Sequence, residues 1–176
     1  MKAAVRSKAA RGSRSGRKGS AIVEFALVGI PVIFFMISLF EAARGMWVYH
    51  TLAYAVREGT RCAAMHGSGC ASPNTCQVTI GQITTILKSA GIGLDQATTT
   101  ATFTPANGSA VSGTLASLAS NTTVFPPAAA NAPGQVVQIS LVYPFRSILS
   151  FFWVRPTGRG VQTFNLGASS AETVQF

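Results

Sequence analysis

Arg17-Lys18-Gly19-Ser20-Ala21-Ile22-Val23-Glu24-Phe25 opens an apolar run, residues 19–40, whose 22 positions hold one charge, Glu24. As a helix rising about 1.5 Å per residue the run spans roughly 33 Å, enough to cross a hydrocarbon core about 30 Å thick. Ahead of it stand Lys2, Arg6, Lys8, Arg11, Arg14, Arg17 and Lys18, seven of the fourteen Lys and Arg in the 176-residue chain. No acidic residue precedes Glu24, so most of the formal charge of +9 belongs to a short tail, and the remaining seven basic and five acidic residues nearly cancel. A basic tail before an apolar helix reads as the positive-inside flank that keeps the N-terminus cytoplasmic and places the chain after residue 40 across the membrane. A nucleic-acid-binding arm would need only the positive charge and no span behind it, so no nucleic-acid partner is expected.

A removable secretory signal has a shorter apolar part, about 7 to 15 residues, ending at a small-x-small site. Here the best such site, Ala43-Arg44-Gly45, carries an arginine at its centre and lies past the apolar run. The start of the run is more informative. Gly19 lacks a side chain, so the backbone there is free to lie extended rather than continue a helix. Glu24 is a carboxylate within a spanning helix, which costs energy and marks a functional partner unless the side chain snorkels to the interface. Basic residues, then a glycine, then a glutamate five positions later resemble the type IV prepilin pattern. The resemblance implies cleavage after Gly19 by an aspartic prepilin peptidase, a mature chain beginning Ser20-Ala21-Ile22-Val23-Glu24-Phe25, and contact of Glu24 with the new amine of a neighbouring subunit.

Pro31 removes one helical hydrogen bond and is expected to kink the span. Trp47 and Tyr49 follow it, where aromatic rings favour the headgroup layer. Met46, Tyr49, Ala53, Val56, Thr60 and Ala63 recur in steps of three and four, which extends the helix to Ala64 with one face packed on the protein's own head. Ala-Ile-Val-Glu-Phe-Ala-Leu at 21–27 and Ala-Val-Arg-Glu-Gly-Thr-Arg at 55–61 resemble the TadE-like family, minor pilin-like proteins of the tight-adherence, or Flp, pilus system. The resemblance covers the first 65 residues and implies a bacterial inner-membrane protein. Its partners would be the prepilin peptidase, the major pilin, other minor pilins and the assembly platform. It also points to Arg57, Glu58 and Arg61 as subunit contacts, although a solvated face with Glu58 and Arg61 paired across one turn explains the same spacing. Gly59 lowers helix propensity by up to about 1 kcal/mol relative to alanine, so it marks a close backbone approach or a bend.

On the oxidising side of the membrane, Cys62, Cys70 and Cys76 would supply at least one disulfide. Cys70 with Cys76 closes a turn-like loop and is the favoured pair, leaving Cys62 free or bonded to another chain; connectivity stays open. The spacing fits no zinc finger and His50 and His66 are isolated, so no metal is expected. Residues 78–90 read as an amphipathic helix ended by Gly91, with Ile80, Ile83 and either Ile86 or Leu87 inward. Strands are expected at 98–104, 122–125, 136–143 and 161–166, with 126–133 a loop. The apolar stretch 145–153 is too short to span a bilayer and reads as core or as a surface that touches membrane or partner.

The expected fold is α+β and type IV pilin-like: a leader at 1–19, a transmembrane helix at 20–43, its extension at 44–65, and a head with an antiparallel sheet at 66–176. Five acidic residues and two histidines form no convergent constellation, so no catalysis, cofactor or small-molecule substrate is expected. The alternatives are an uncleaved, signal-anchored ligand-binding domain at the periplasm or surface, and a type II secretion pseudopilin, which shares the cleavage motif but lacks the Arg-Glu-Gly-x-Arg helix.

Overall fold

The structure, a computed structural model, describes residues 17–69, 77–148 and 162–175. Its elements in order are α1 (Arg17–Ala64), α2 (Ile80–Ala90), β1 (Thr100–Thr104), β2 (Val111–Thr114), α3 (Leu115–Leu118), β3 (Val136–Ser147) and β4 (Gln162–Thr173). The chain divides into two compact units, Met1–Phe40 and Glu41–Phe176. It is α+β: a long N-terminal apolar helix followed by a small, wholly antiparallel sheet ordered β2-β1-β3-β4.

In the first unit α1 is unbroken through Pro31, and its apolar side chains, among them Phe25, Leu27, Phe35 and Phe40, are exposed. Isoleucine, leucine and phenylalanine all round a helix leave no polar face to turn toward water, the pattern of a helix whose solvent is lipid. Among the described residues this is the one helix long and apolar enough to cross a membrane.

The second unit is built around the outer part of α1. Val48, Leu52, Ala55, Val56, Thr60, Ala63 and Ala64 are buried there. The inward face is rotated from the expected stripe, because Met46 and Tyr49 are exposed while Val48 and Leu52 take the inner positions. Gly59 makes the close approach its residue type suggested: a Cβ there would lie 2.6 Å from Leu87 Cδ2 and 3.5 Å from Ile83 Cγ2. α2 therefore lies directly on the α1 backbone, burying Ile80, Ile83 and Leu87, with Leu87 rather than Ile86 completing the face.

The N-terminus of α2 is closed by a capping box: Gln82 N–H donates to Thr79 Oγ1 and Thr79 N–H to Gln82 Oε1. Residues 122–125, expected as a strand, instead wrap this end. Ile80 N–H donates to the Thr123 carbonyl, Gly81 N–H to that of Asn121 and Phe125 N–H to that of Val78, each at 2.9 Å. The orphan donors of the first turn of α2 take the carbonyls that a sheet would have used, and one isolated bridge, Thr79 to Val124, remains.

β1 alternates strictly, Ala101 and Phe103 inward and the threonines outward. β3 buries Val137, Ile139 and Leu141 and continues past 143 through Pro144 to Ser147. Proline is tolerated because β1 ends opposite Val142, so at Pro144 only β4 flanks the strand. β4 pairs with β3 residue for residue from Gln162 to Thr173, carrying it beyond the expected 161–166 despite the weak strand formers Gly167-Ala168-Ser169-Ser170. Arg44 bonds the Arg146 carbonyl, whereas Thr60 Oγ1 lies 3.5 Å from the carbonyl of Ser170, the residue opposite Ile139. β3 thus runs antiparallel to the outer part of α1 and β4 parallel to it. Gln175 N–H closes the chain onto the Ala64 carbonyl at 2.9 Å.

Candidate functional site

The expected processing residues lie at the start of α1. Gly19 is helical and exposed, and a Cβ built on it meets nothing within 4 Å. A glycine in a helix interior costs roughly 0.5 to 1 kcal/mol against alanine, and packing among the described residues gives no reason to accept that cost. One turn further on, Ser20 Oγ donates to Glu24 Oε1 at 3.3 Å, so the two polar side chains at the head of the apolar run satisfy each other. Glu24 has no cation within ion-pair distance among the described side chains, and its carboxylate and the Phe25 ring are both exposed.

The second expected cluster lies on the last turns of α1. Arg57 and Arg61 are exposed, one helical turn apart, and Glu58 is half-buried. The expected ion pair between Glu58 and Arg61 is not formed; among the described residues the one ion pair is Glu41 with Arg44. Arg61 in the final turn complements the helix dipole, and His66 folds back to cap it, Nδ1 lying 2.6 Å from the Cys62 carbonyl and donating to it as the Nδ1–H tautomer.

That contact occupies the histidine nitrogen nearest the Cys62 thiol, whose Sγ is 3.9 Å away. Cys62 is unpaired and half-buried, and burial pushes its pKa above the ordinary thiol value, the opposite of what a nucleophilic cysteine needs. Cys70 and Cys76 lie outside the described residues, as does their expected pairing. Among the described residues no group of three His, Cys, Asp or Glu side chains is placed to hold a metal.

A cluster that sequence reasoning missed lies at Glu41, the residue after the apolar run. Its carboxylate is nearly buried, pairs with Arg44 at 3.2 Å and accepts the Ile148 N–H at 3.1 Å. The Arg44 guanidinium lies 4.4 Å from the Phe145 ring centroid and donates to the Arg146 carbonyl. The signal in the sequence is an acid and a base three apart just where apolar residues end; their partners, more than a hundred residues away, left none.

Comparison with curated proteins and with solved structures gave no match. One family model, described as TadE-like protein, matches residues 19–61. The matched segment runs from Gly19 through Glu24 and Gly59 to Arg61, and over it this chain is similar to TadE-like proteins, a family associated with Tad pili.

Proposed function

We propose that this protein is a minor pilin-like component needed to assemble a tight-adherence pilus, and that a prepilin peptidase cuts it after Gly19. One observation carries the reading: within a TadE-like segment, a glycine with no packing neighbour among the described residues stands five residues before a carboxylate with no ion-pair partner among the described side chains, at the head of a lipid-type helix. In this reading the protein is not an enzyme but the substrate of one, with the leader cytoplasmic, the span in the bacterial inner membrane and the head periplasmic. Once Ser20 is the first residue, its amine becomes a cation that the Glu24 carboxylate of an adjacent subunit can pair with. Such a pair, desolvated in lipid, fixes the register of neighbouring helices at a stated level of the membrane. Arg57, Glu58 and Arg61 supply a second contact, toward the major pilin, other minor pilins or the assembly platform.

The test is the N-terminal sequence and intact mass of the membrane-extracted protein, with and without a co-expressed prepilin peptidase. A chain beginning at Ser20 only with the peptidase, and blocked by Gly19→Leu, is the expected result. A chain retaining Lys2 in both cases, while a control prepilin is cut, overturns the reading in favour of a tethered ligand-binding domain.

A further inference from the structure

Within the head, the outer part of α1 carries its exposed residues on one strip. Met46, His50, Tyr54, Arg57 and Arg61 are all exposed, while Leu52, Ala55, Val56 and Gly59 turn to the core. At 3.6 residues per turn the five exposed positions fall within about a quarter of the helix circumference, over roughly 22 Å of its length. The intervals from Met46 to Arg57 and from His50 to Arg61 are both about eleven residues, close to three full turns, so the strip runs nearly along the axis instead of winding round it. Trp47 and Tyr49 flank it, Tyr49 edge-on to the His50 ring at 5.9 Å. Of the ten large apolar side chains that the head leaves exposed among the described residues, five lie between Met46 and Met65, so the exposure is concentrated on this helix.

The strip changes chemistry along its length. Met46 is 63 % exposed and Tyr54 57 %, an apolar and aromatic ridge that runs into two guanidiniums one turn apart. Neither Arg57 nor Arg61 has an ion-pair partner among the described residues. Tyrosine and arginine are the residue types that dominate binding energy in protein interfaces. Two carboxylates one turn apart on a facing helix share the spacing of the arginines, and each matches the fork of a guanidinium. A second copy of this chain does not supply them. Symmetric pairing of two strips would gather four arginines around two half-buried Glu58 side chains, and like charges so opposed repel. Nucleic-acid phosphates would satisfy the arginines but leave the apolar ridge uncovered.

We propose that this strip of α1 is the docking surface for an acidic amphipathic helix of a different protein, with Arg57 and Arg61 each holding one of its carboxylates and Met46 and Tyr54 packing on its apolar stripe. Such docking rests on the reading in which Arg57 and Arg61 meet an assembly partner, and narrows that partner to a chain with paired carboxylates, excluding a second copy of this one. Glu58, at the edge of the strip, repels a carboxylate placed out of register and so fixes where along the strip the partner helix settles.

The experiment uses the full chain in the cells that make it, with the photocrosslinking residue p-benzoylphenylalanine placed either at Tyr54, in the strip, or at Val136, which is exposed on β3. Irradiation is expected to join the Tyr54 reporter, and not the Val136 one, to a helical segment of another protein with two carboxylates about three or four residues apart, identified by mass spectrometry of the joined peptide. Arg57→Glu with Arg61→Glu is expected to cut that product about tenfold or more. Changing the two carboxylates of the partner to arginine is expected to restore it, which a misfolded variant could not do. A product with a second copy, with lipid alone or with a segment lacking the carboxylate pair overturns the docking, as does no product, or one that charge reversal leaves unchanged. N-terminal sequencing of the same protein keeps the two readings apart. No product from a chain that begins at Ser20 overturns this docking and leaves the pilin-like reading standing. A charge-dependent product from a chain that retains Lys2 overturns the cut and leaves the docking standing.

Discussion

Gly59 and Gly19 occupy the same helix and answer the same substitution in opposite ways. At Gly59 an alanine Cβ would press on Leu87, which is sealed in the core and has no room to swing aside. Gly59→Ala is expected to destabilise the head by about 1 to 3 kcal/mol despite alanine's better helix propensity, visible as a lower Tm in detergent. Gly19→Ala meets no neighbour and is expected to leave that Tm unchanged. Thr84 is the converse case, its buried Oγ1 finding no partner among the described residues. Thr84→Val exchanges that hydroxyl for a methyl of the same shape and is expected to raise stability by roughly 1 kcal/mol in denaturant unfolding. Cys62 carries a pH signature. Its folded pKa is raised by burial, so its contribution is fully present below the ordinary thiol pKa and is lost as pH climbs from there through the folded value. In a chain with Cys70→Ser and Cys76→Ser, iodoacetamide is expected to label Cys62 more slowly in native than in denatured protein, and equal rates would show that the burial is not real.

Among the elements, what was legible followed from short-range chemistry. The Thr79 to Gln82 box and Gly91 bracket α2 within a few residues, and Thr79→Ala is expected to cost about 1 kcal/mol through the lost cap. β1 and β3 announced themselves by alternation. Residues 122–125 did not, because Thr-Thr-Val-Phe has strand composition whether its carbonyls meet a strand or a helix N-terminus, and only the fold decides between them. β2, Val-Ser-Gly-Thr, has neither the length nor the side chains to be seen, and exists because β1 offers it an edge. Glu41 was legible as a residue but not as a latch, since its partner is a backbone N–H 107 positions away. Glu41→Gln is expected to speed amide exchange at Ile148 while Ile139, sealed deep in β3, keeps its protection.

At the scale of the molecule, the segment that the family model matches and the segment that the sequence made plain are nearly the same, residues 19–61. The reason is physical: a span, a flank of charge and a small-residue contact are properties of consecutive residues, whereas the head is held by pairs far apart in the chain. The proposed cut after Gly19 would also have a consequence for the whole chain's charge. Removal of residues 1–19 takes half of the basic residues with it, leaving seven against five acidic. The mature form is therefore expected to focus at a markedly lower isoelectric point than the precursor, and one band at the precursor's position after exposure to the peptidase would deny the cut.

The bond between Thr60 and the carbonyl of Ser170 joins residues 110 positions apart, and Ala64 waits as long for Gln175. At ribosomal speeds of about 5 to 20 residues per second, the face of α1 that carries Leu52, Val56 and Thr60 is finished roughly 5 to 20 seconds before β4 exists to cover it. During that interval it is an amphipathic helix without a fold, tied to whatever its neighbouring span has entered. A newborn chain of this design depends on a holding partner, or on the membrane itself, to keep that face from the wrong company until its last fifteen residues arrive.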